Sequence, residues 1–201
     1  MDIILRSFIN RLESLPDKPS MDELKKSILE MDGRQLPIDE YISFSDKDYK
    51  RNIVHVSSKC EFTVLCFKKG QITPIHDHGG STGITIIREG TMTEELFNKL
   101  PTGMIVPTFT RRFHTSELSY INLTTIHRVS NAHNGNLVTM NIYFPPLTLM
   151  NIYNLENTQT EKWTADYTDT KGLSHNNCNN FTCFLGKRYN SILHEMDDAE
   201  Y

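Results

Sequence analysis

The segment Gly70-Gln71-Ile72-Thr73-Pro74-Ile75-His76-Asp77-His78 holds the most informative side chains. Two histidines two residues apart on a strand point to the same face, so their imidazoles can converge on one ion. A third histidine, His127, opens a later run, His127-Arg128-Val129-Ser130-Asn131, and antiparallel pairing would bring it opposite the first two. Three neutral imidazoles on neighbouring strands form one face of a coordination sphere and leave other positions free. Facial ligation with open positions is the arrangement of non-haem iron oxygenases, which usually combine two histidines with a carboxylate.

Such a site needs a rigid frame, and the chain is long enough for one. Its 201 residues suffice for one sizeable core but not for two comfortable domains. Hydrophobic residues are 38% and charged ones 23%, the composition of an ordinary globular chain. Lysine and arginine total 21 against 25 acidic residues, a net charge of −4, so there is no basic footprint for nucleic acid. No stretch approaches the roughly 18 consecutive apolar residues of a membrane span. The N-terminus has no secretory pattern, and four unevenly spaced cysteines do not make a disulfide framework. The expectation is a cytoplasmic monomer.

Residues 1–45 read as a helical cap. Ile4, Leu5, Phe8, Ile9, Leu12 and Leu15 recur at helical spacing until Pro16 and Pro19. Ser20 and Glu23 then make a capping box ahead of Leu24, Ile28 and Leu29, with Gly33 at the stop. A polar link through Pro37 reaches Asp48. From there short β-branched runs predict strands over 53–56, 62–67, 83–87, 91–97, 104–106, 120–123, 137–143 and 147–153. Many short strands without long helical periods imply a mainly β antiparallel sandwich or barrel over 46–165. Residues 166–201 carry polar clusters and form an unassigned C-terminal extension of a single domain, 1–201.

These residues resemble a known family. Gly70, five residues, His76-x-His78, four residues, residue 83, six residues and Gly90 is similar to the first motif of the cupin barrels (double-stranded β-helix, or jelly-roll, folds). His127 with Asn131 is similar to the second motif, with Asn122 and Thr124 at its usual Pro and Gly. The glutamate that most metal cupins supply as a fourth ligand is Gly83 here, which leaves the three-histidine site of the thiol dioxygenase branch. Tyr49-Lys50-Arg51-Asn52, Leu65-Cys66-Phe67, Glu94-Glu95-Leu96-Phe97 and Ile142-Tyr143-Phe144-Pro145-Pro146 resemble runs of the cysteine dioxygenases. The likeness covers roughly residues 45–150.

The resemblance implies that His76, His78 and His127 hold ferrous iron, Fe(2+), and that Arg51 pairs with a substrate carboxylate. That role suits a planar fork that never loses its charge. It also implies that Tyr143 sets its hydroxyl beside the reacting sulfur and oxygen, while Tyr49 lines the pocket. The family's Ser-x-His-x-Tyr chain corresponds to Thr139-Met140-Asn141-Ile142-Tyr143. Threonine keeps the hydroxyl, but Asn141 cannot titrate near neutral pH. The cysteine that many animal members crosslink to the tyrosine is again Gly83. The implied reaction adds O2 to the thiol of L-cysteine, giving cysteine sulfinate; the partners are a small thiol and O2. A dioxygenase of another small thiol (3-mercaptopropionate-like or a specialised thiol acid) and a non-enzymatic metal-binding cupin sensor are the alternatives.

On residue type alone, Arg51 is a solvated strand arginine and Tyr143 a core aromatic. His55, His114, His133, His175 and His194 get no role. His175 with Cys178 and Cys183 falls short of the four ligands of a structural zinc site. Cys60 and Cys66 read as small buried hydrophobes.

Overall fold

The computed structural model describes residues 1–165. Two helices lead, α1 (Ile3–Glu13) and α2 (Met21–Glu30). The Asp2 carboxylate caps α1 through the Ile4 amide. At α2 the capping box forms as expected: the Ser20 hydroxyl accepts from the Glu23 amide, and the Glu23 carboxylate accepts from Ser20 N–H. Such a cap contributes about 1 kcal/mol. The buried stripe is narrower than the apolar positions suggest. Leu5, Phe8, Ile9, Leu12, Leu24 and Ile28 are buried, whereas Ile4 and Leu29 face solvent. The polar link carries two short 3-10 turns, Gly33–Gln35 and Asp39–Tyr41, which bury Leu36, Ile38 and Tyr41.

Among the described residues eleven strands follow: β1 (Lys50–Val56), β2 (Glu61–Phe67), β3 (Ile75–His76), β4 (Thr82–Glu89), β5 (Thr91–Lys99), β6 (Ile105–His114), β7 (Leu118–Ile121), β8 (Ile126–Ser130), β9 (Leu137–Phe144), β10 (Leu149–Tyr153) and β11 (Thr160–Thr164). They form two antiparallel sheets, ordered β1-β2-β9-β4-β7 and β11-β10-β3-β8-β5-β6. The expected mainly β fold, a double-stranded β-helix of the cupin type with an N-terminal helical segment, is the observed one.

The five-stranded sheet is covered on both faces, which explains why all eight residues of β9 are buried. Val138, Met140, Ile142 and Phe144 point outward and meet α1 and α2, together with Phe62, Val64 and Cys66 of β2 and Ile84 and Ile86 of β4. Phe8 of α1 packs edge to face on Phe62, centroids 5.8 Å apart, an arrangement worth about 0.5–1.5 kcal/mol beyond area burial. The intervening residues, Thr139, Asn141, Tyr143, Leu65 and Thr85, point inward and line a cavity. The helices therefore seal the outside of the sheet whose inside carries the chemistry.

Two glycines allow close backbone approach. Gly90 turns β4 into β5 at φ +87°, where a Cβ would sit 2.3 Å from the Asn136 carbonyl oxygen. At Gly83 a Cβ would lie 2.4 Å from the Ile142 carbonyl oxygen and 2.9 Å from a Tyr143 ring carbon. Strand β11 and most of β6 lie outside the expected runs. β6 is exposed along most of its length, so no apolar alternation marks it.

Candidate metal centre and its cavity

The histidine cluster is built by register. His76 on β3 pairs directly with His127 on β8, and His78 follows two residues after His76, just past the short strand. The three ring centroids lie 5.0, 4.8 and 4.8 Å apart, and all three side chains are buried. Their ligand atoms lie within 4.8 Å of one another, and the cluster contains no carboxylate. Gly83, at the motif's usual glutamate, has no side chain to add one.

Each ring is prepared to coordinate. His76 Nδ1–H donates to the Pro74 carbonyl at 2.8 Å, and His127 Nδ1–H donates to Glu94 Oε1 at 2.5 Å. Both bonds leave Nε2 with a free lone pair, the way metal-ligating imidazoles are held. His78 has the Thr125 backbone beside it, yet neither buried ring nitrogen makes a hydrogen bond of good geometry among the described residues. A buried imidazole left so is costly unless an ion completes it. Burial first, and then the neighbouring His127, pushes His76 down to about 3. Burial, His127 and His76 likewise hold His78 well below the ordinary histidine range. Both are neutral at physiological pH, as a metal requires. The residues present fit a first-row transition ion.

Glu94 is the residue that the sequence motifs left without a role. It is fully buried, and its second oxygen accepts from Arg111 Nε at 2.6 Å and Ser119 Oγ at 3.2 Å. Burial pushes its carboxyl up, but His127 and then Arg111 outweigh that and hold it below the usual range. The signal available in the sequence was parity: on β5, Glu94 shares the inward side with Met92, while Glu95 faces out and grips Arg128.

The remaining candidate residues converge on the same space. Tyr49, Arg51, Thr139, Asn141 and Tyr143 all line one cavity with His76 and His127. Its volume of about 40 Å³ has room for roughly three or four waters. Tyr143 stacks beside His78, centroids 5.9 Å apart. Burial raises the Tyr143 phenol above its ordinary range, against a smaller opposite pull from Arg51, so it keeps its proton. Tyr49 stacks on Phe67 at 4.9 Å. Asn141 is clamped on both sides: its oxygen accepts from Thr85 Oγ1 at 2.8 Å, and its nitrogen donates to Thr139 Oγ1 at 2.9 Å. The Asn141 bonds thus run to the two threonines and not on toward Tyr143.

Arg51 sits differently from a bare anion receptor. Its Nη2 is in contact with Oε1 of Glu61, a fully buried carboxylate at the start of β2. Glu61 Oε2 also accepts from the Leu147 amide at 3.0 Å. The guanidinium lies 5.8 Å from the Trp163 ring centroid.

A second cluster, Glu13, His55 and Cys60, is accounted for by its own hydrogen bonds: His55 Nε2 to Glu13 at 2.6 Å and Cys60 Sγ to Glu13 at 3.5 Å. Cys60, expected as a small buried hydrophobe of a strand, is buried but precedes β2 and is hydrogen-bonded to Glu13. His175, Cys178, Cys183 and His194 lie outside the described residues. No helix among the described residues is long and apolar enough to cross a membrane.

Fold and cluster together define a cupin with an all-histidine cluster able to hold a metal ion. The family model for cysteine dioxygenase type I matches residues 21–156, more than half of the chain, and the chain belongs to that family. It is 25% identical over 138 residues to cysteine dioxygenase type 1 of Rattus norvegicus, covering 66% of this chain and 69% of that one. With the Danio rerio protein of the same name it is 31% identical over 114 residues, covering 53% and 56%. Among solved structures it resembles an uncharacterized conserved protein with a double-stranded beta-helix domain from Klebsiella pneumoniae, with TM-score 0.48, 14% identity, and 60% and 97% coverage.

Proposed function

We propose that this protein is an iron-dependent thiol dioxygenase that adds both atoms of O2 to the sulfur of a small thiol, R–SH + O2 → R–SO2H, with L-cysteine as the first substrate and cysteine sulfinate as its product. The observation that carries the reading is the convergence of three buried imidazoles with no carboxylate in the cluster. Ferrous iron bound there supplies the open positions and the redox capacity that triplet dioxygen needs to react with a thiol. His76, His78 and His127 would hold the ion without adding negative charge, so an anionic thiolate would be favoured over a neutral thiol in the cavity.

The chain's own residues do the rest. Glu94 fixes the orientation of His127 and the Pro74 carbonyl fixes that of His76. Tyr143 keeps its phenolic proton and donates toward negative charge developing on sulfur or oxygen. Asn141 cannot accept a proton near neutral pH, so its part is to hold Thr139 and Thr85 in place rather than to relay protons. Leu65, Met92, Ile121, Val129 and Met150 keep the cavity apolar and small, which strengthens polar interactions inside it. The same reading takes 1–201 as one domain of a cytoplasmic monomer: 1–45 caps the outer sheet, 46–165 is the barrel, and 166–201 is the extension.

The test is anaerobic loading with iron, then addition of oxygenated buffer with L-cysteine, 3-mercaptopropionate and cysteamine in parallel. Oxygen uptake matched mole for mole by sulfinate supports the reading. No uptake with any of the three contradicts it and leaves the metal-binding sensor.

A further inference from the structure

The Arg51–Glu61 pair bears on which thiols the cavity takes, an inference that rests on the thiol dioxygenase reading. Glu61 shares the inward face of β2 with Thr63 and Leu65, and Arg51 reaches it from β1. The Glu61 side chain is 0% exposed and that of Arg51 10%. Among the described residues Arg51 is the single lysine or arginine lining the cavity, while Glu61 lies behind it, also held by the Leu147 amide. A carboxylate with no access to water is strongly destabilised when its cation leaves, so Arg51 stays on Glu61 whether or not substrate is bound. One arm of the fork is therefore engaged, and the pair is neutral as a unit. An arriving carboxylate is attracted by Arg51 and repelled by Glu61 just beyond it. A lone arginine would select for carboxylate; this pair does not.

We infer that Glu61 is a specificity-determining residue that offsets the charge of Arg51, so that the cavity takes aminothiols without a carboxylate as readily as L-cysteine. The small cavity agrees with this class, because such thiols need still less room.

L-Cysteine and L-cysteinamide share a shape and differ in charge at the carboxyl carbon, so their comparison isolates the electrostatic effect. In the iron-loaded wild type their kcat/KM values should agree within about tenfold, because the strengthening of a hydrogen bond by charge is offset. Glu61→Gln keeps an acceptor for the Leu147 amide and removes the charge. It should shift the ratio toward L-cysteine by about tenfold or more. Dissociation constants from anaerobic titration of the Co²⁺-loaded protein, followed by visible absorption, should show the same pattern. A wild-type preference for L-cysteine beyond tenfold overturns the inference, as does a Glu61→Gln ratio that is unchanged or moves toward the amide. The wild-type comparison decides alone if Glu61→Gln does not fold. Binding of both thiols in the expected ratio without sulfinate formation would sink the dioxygenase reading and keep the specificity inference; turnover with a strong carboxylate preference would do the reverse.

Discussion

Replacing Glu94 with glutamine tests how the metal centre is held. The substitution preserves shape and keeps an oxygen for Arg111 or His127, but it removes the charge that the His127 Nδ1–H meets at 2.5 Å. A hydrogen bond to a charged group contributes about 1.5–3 kcal/mol and a neutral one about 0.5–1.5, so the loss is about 1–1.5 kcal/mol. That is about tenfold in metal affinity, the lower end of the 10–100-fold effects of such carboxylate–histidine contacts. Arg111, whose side chain is 35% exposed, can turn to water, so the fold should survive. The assay is anaerobic competition for Fe²⁺ or Co²⁺ against a chelator of known affinity. Glu95→Gln is the control, because Glu95 points the other way and holds Arg128. A Glu94→Gln affinity equal to wild type, or an equal loss in Glu95→Gln, would refute the reasoning.

Other substitutions probe the frame. Gly83→Ala places a Cβ 2.4 Å from the Ile142 carbonyl oxygen and should cost about 1–3 kcal/mol, lowering Tm by roughly 2–10 °C in a thermal melt. Asn141→Ala leaves the buried hydroxyls of Thr85 and Thr139 without their shared partner and should cost about 1–3 kcal/mol by urea denaturation, with the metal still bound. Cys60 is pushed up to about 12, by burial first and then by the Glu13 carboxylate. A raised thiol pKa contributes stability that is present at neutral pH and is lost only as pH climbs from the unfolded value toward 12. Alkylation at pH 8 should therefore spare Cys60 in native protein and reach it in denaturant, as peptide mass mapping would report.

Much of the site was legible because spacing and parity carry geometry. His76-x-His78 and the later His127 needed only antiparallel pairing to meet, and the register pairs His76 with His127. Thr139, Asn141 and Tyr143 share a side of β9 by alternation alone, so their common cavity was readable too. The two carboxylates were harder to read. Glu61 looks like the polar edge of the run that starts at Phe62, and only its shared parity with Thr63 and Leu65 places it inside. Glu94 sits beside an outward Glu95, and only its shared parity with Met92 tells which one is buried. Ile4 and Leu29 fit the helical stripe by spacing, yet the sheet covers a narrower face than spacing allows. Most of β6 was missed because an exposed strand such as Thr108-Phe109-Thr110-Arg111 shows no apolar period to read.

In the proposed reaction three imidazoles alone hold the ion at which a thiol meets dioxygen. Its most direct test is turnover of L-cysteine by the iron-loaded protein under ¹⁸O₂, with the product read by mass spectrometry. The account requires sulfinate in which both oxygen atoms are labelled, and no such product from His127→Ala. A product with one or no labelled oxygen, or undiminished sulfinate formation without His127, would contradict it.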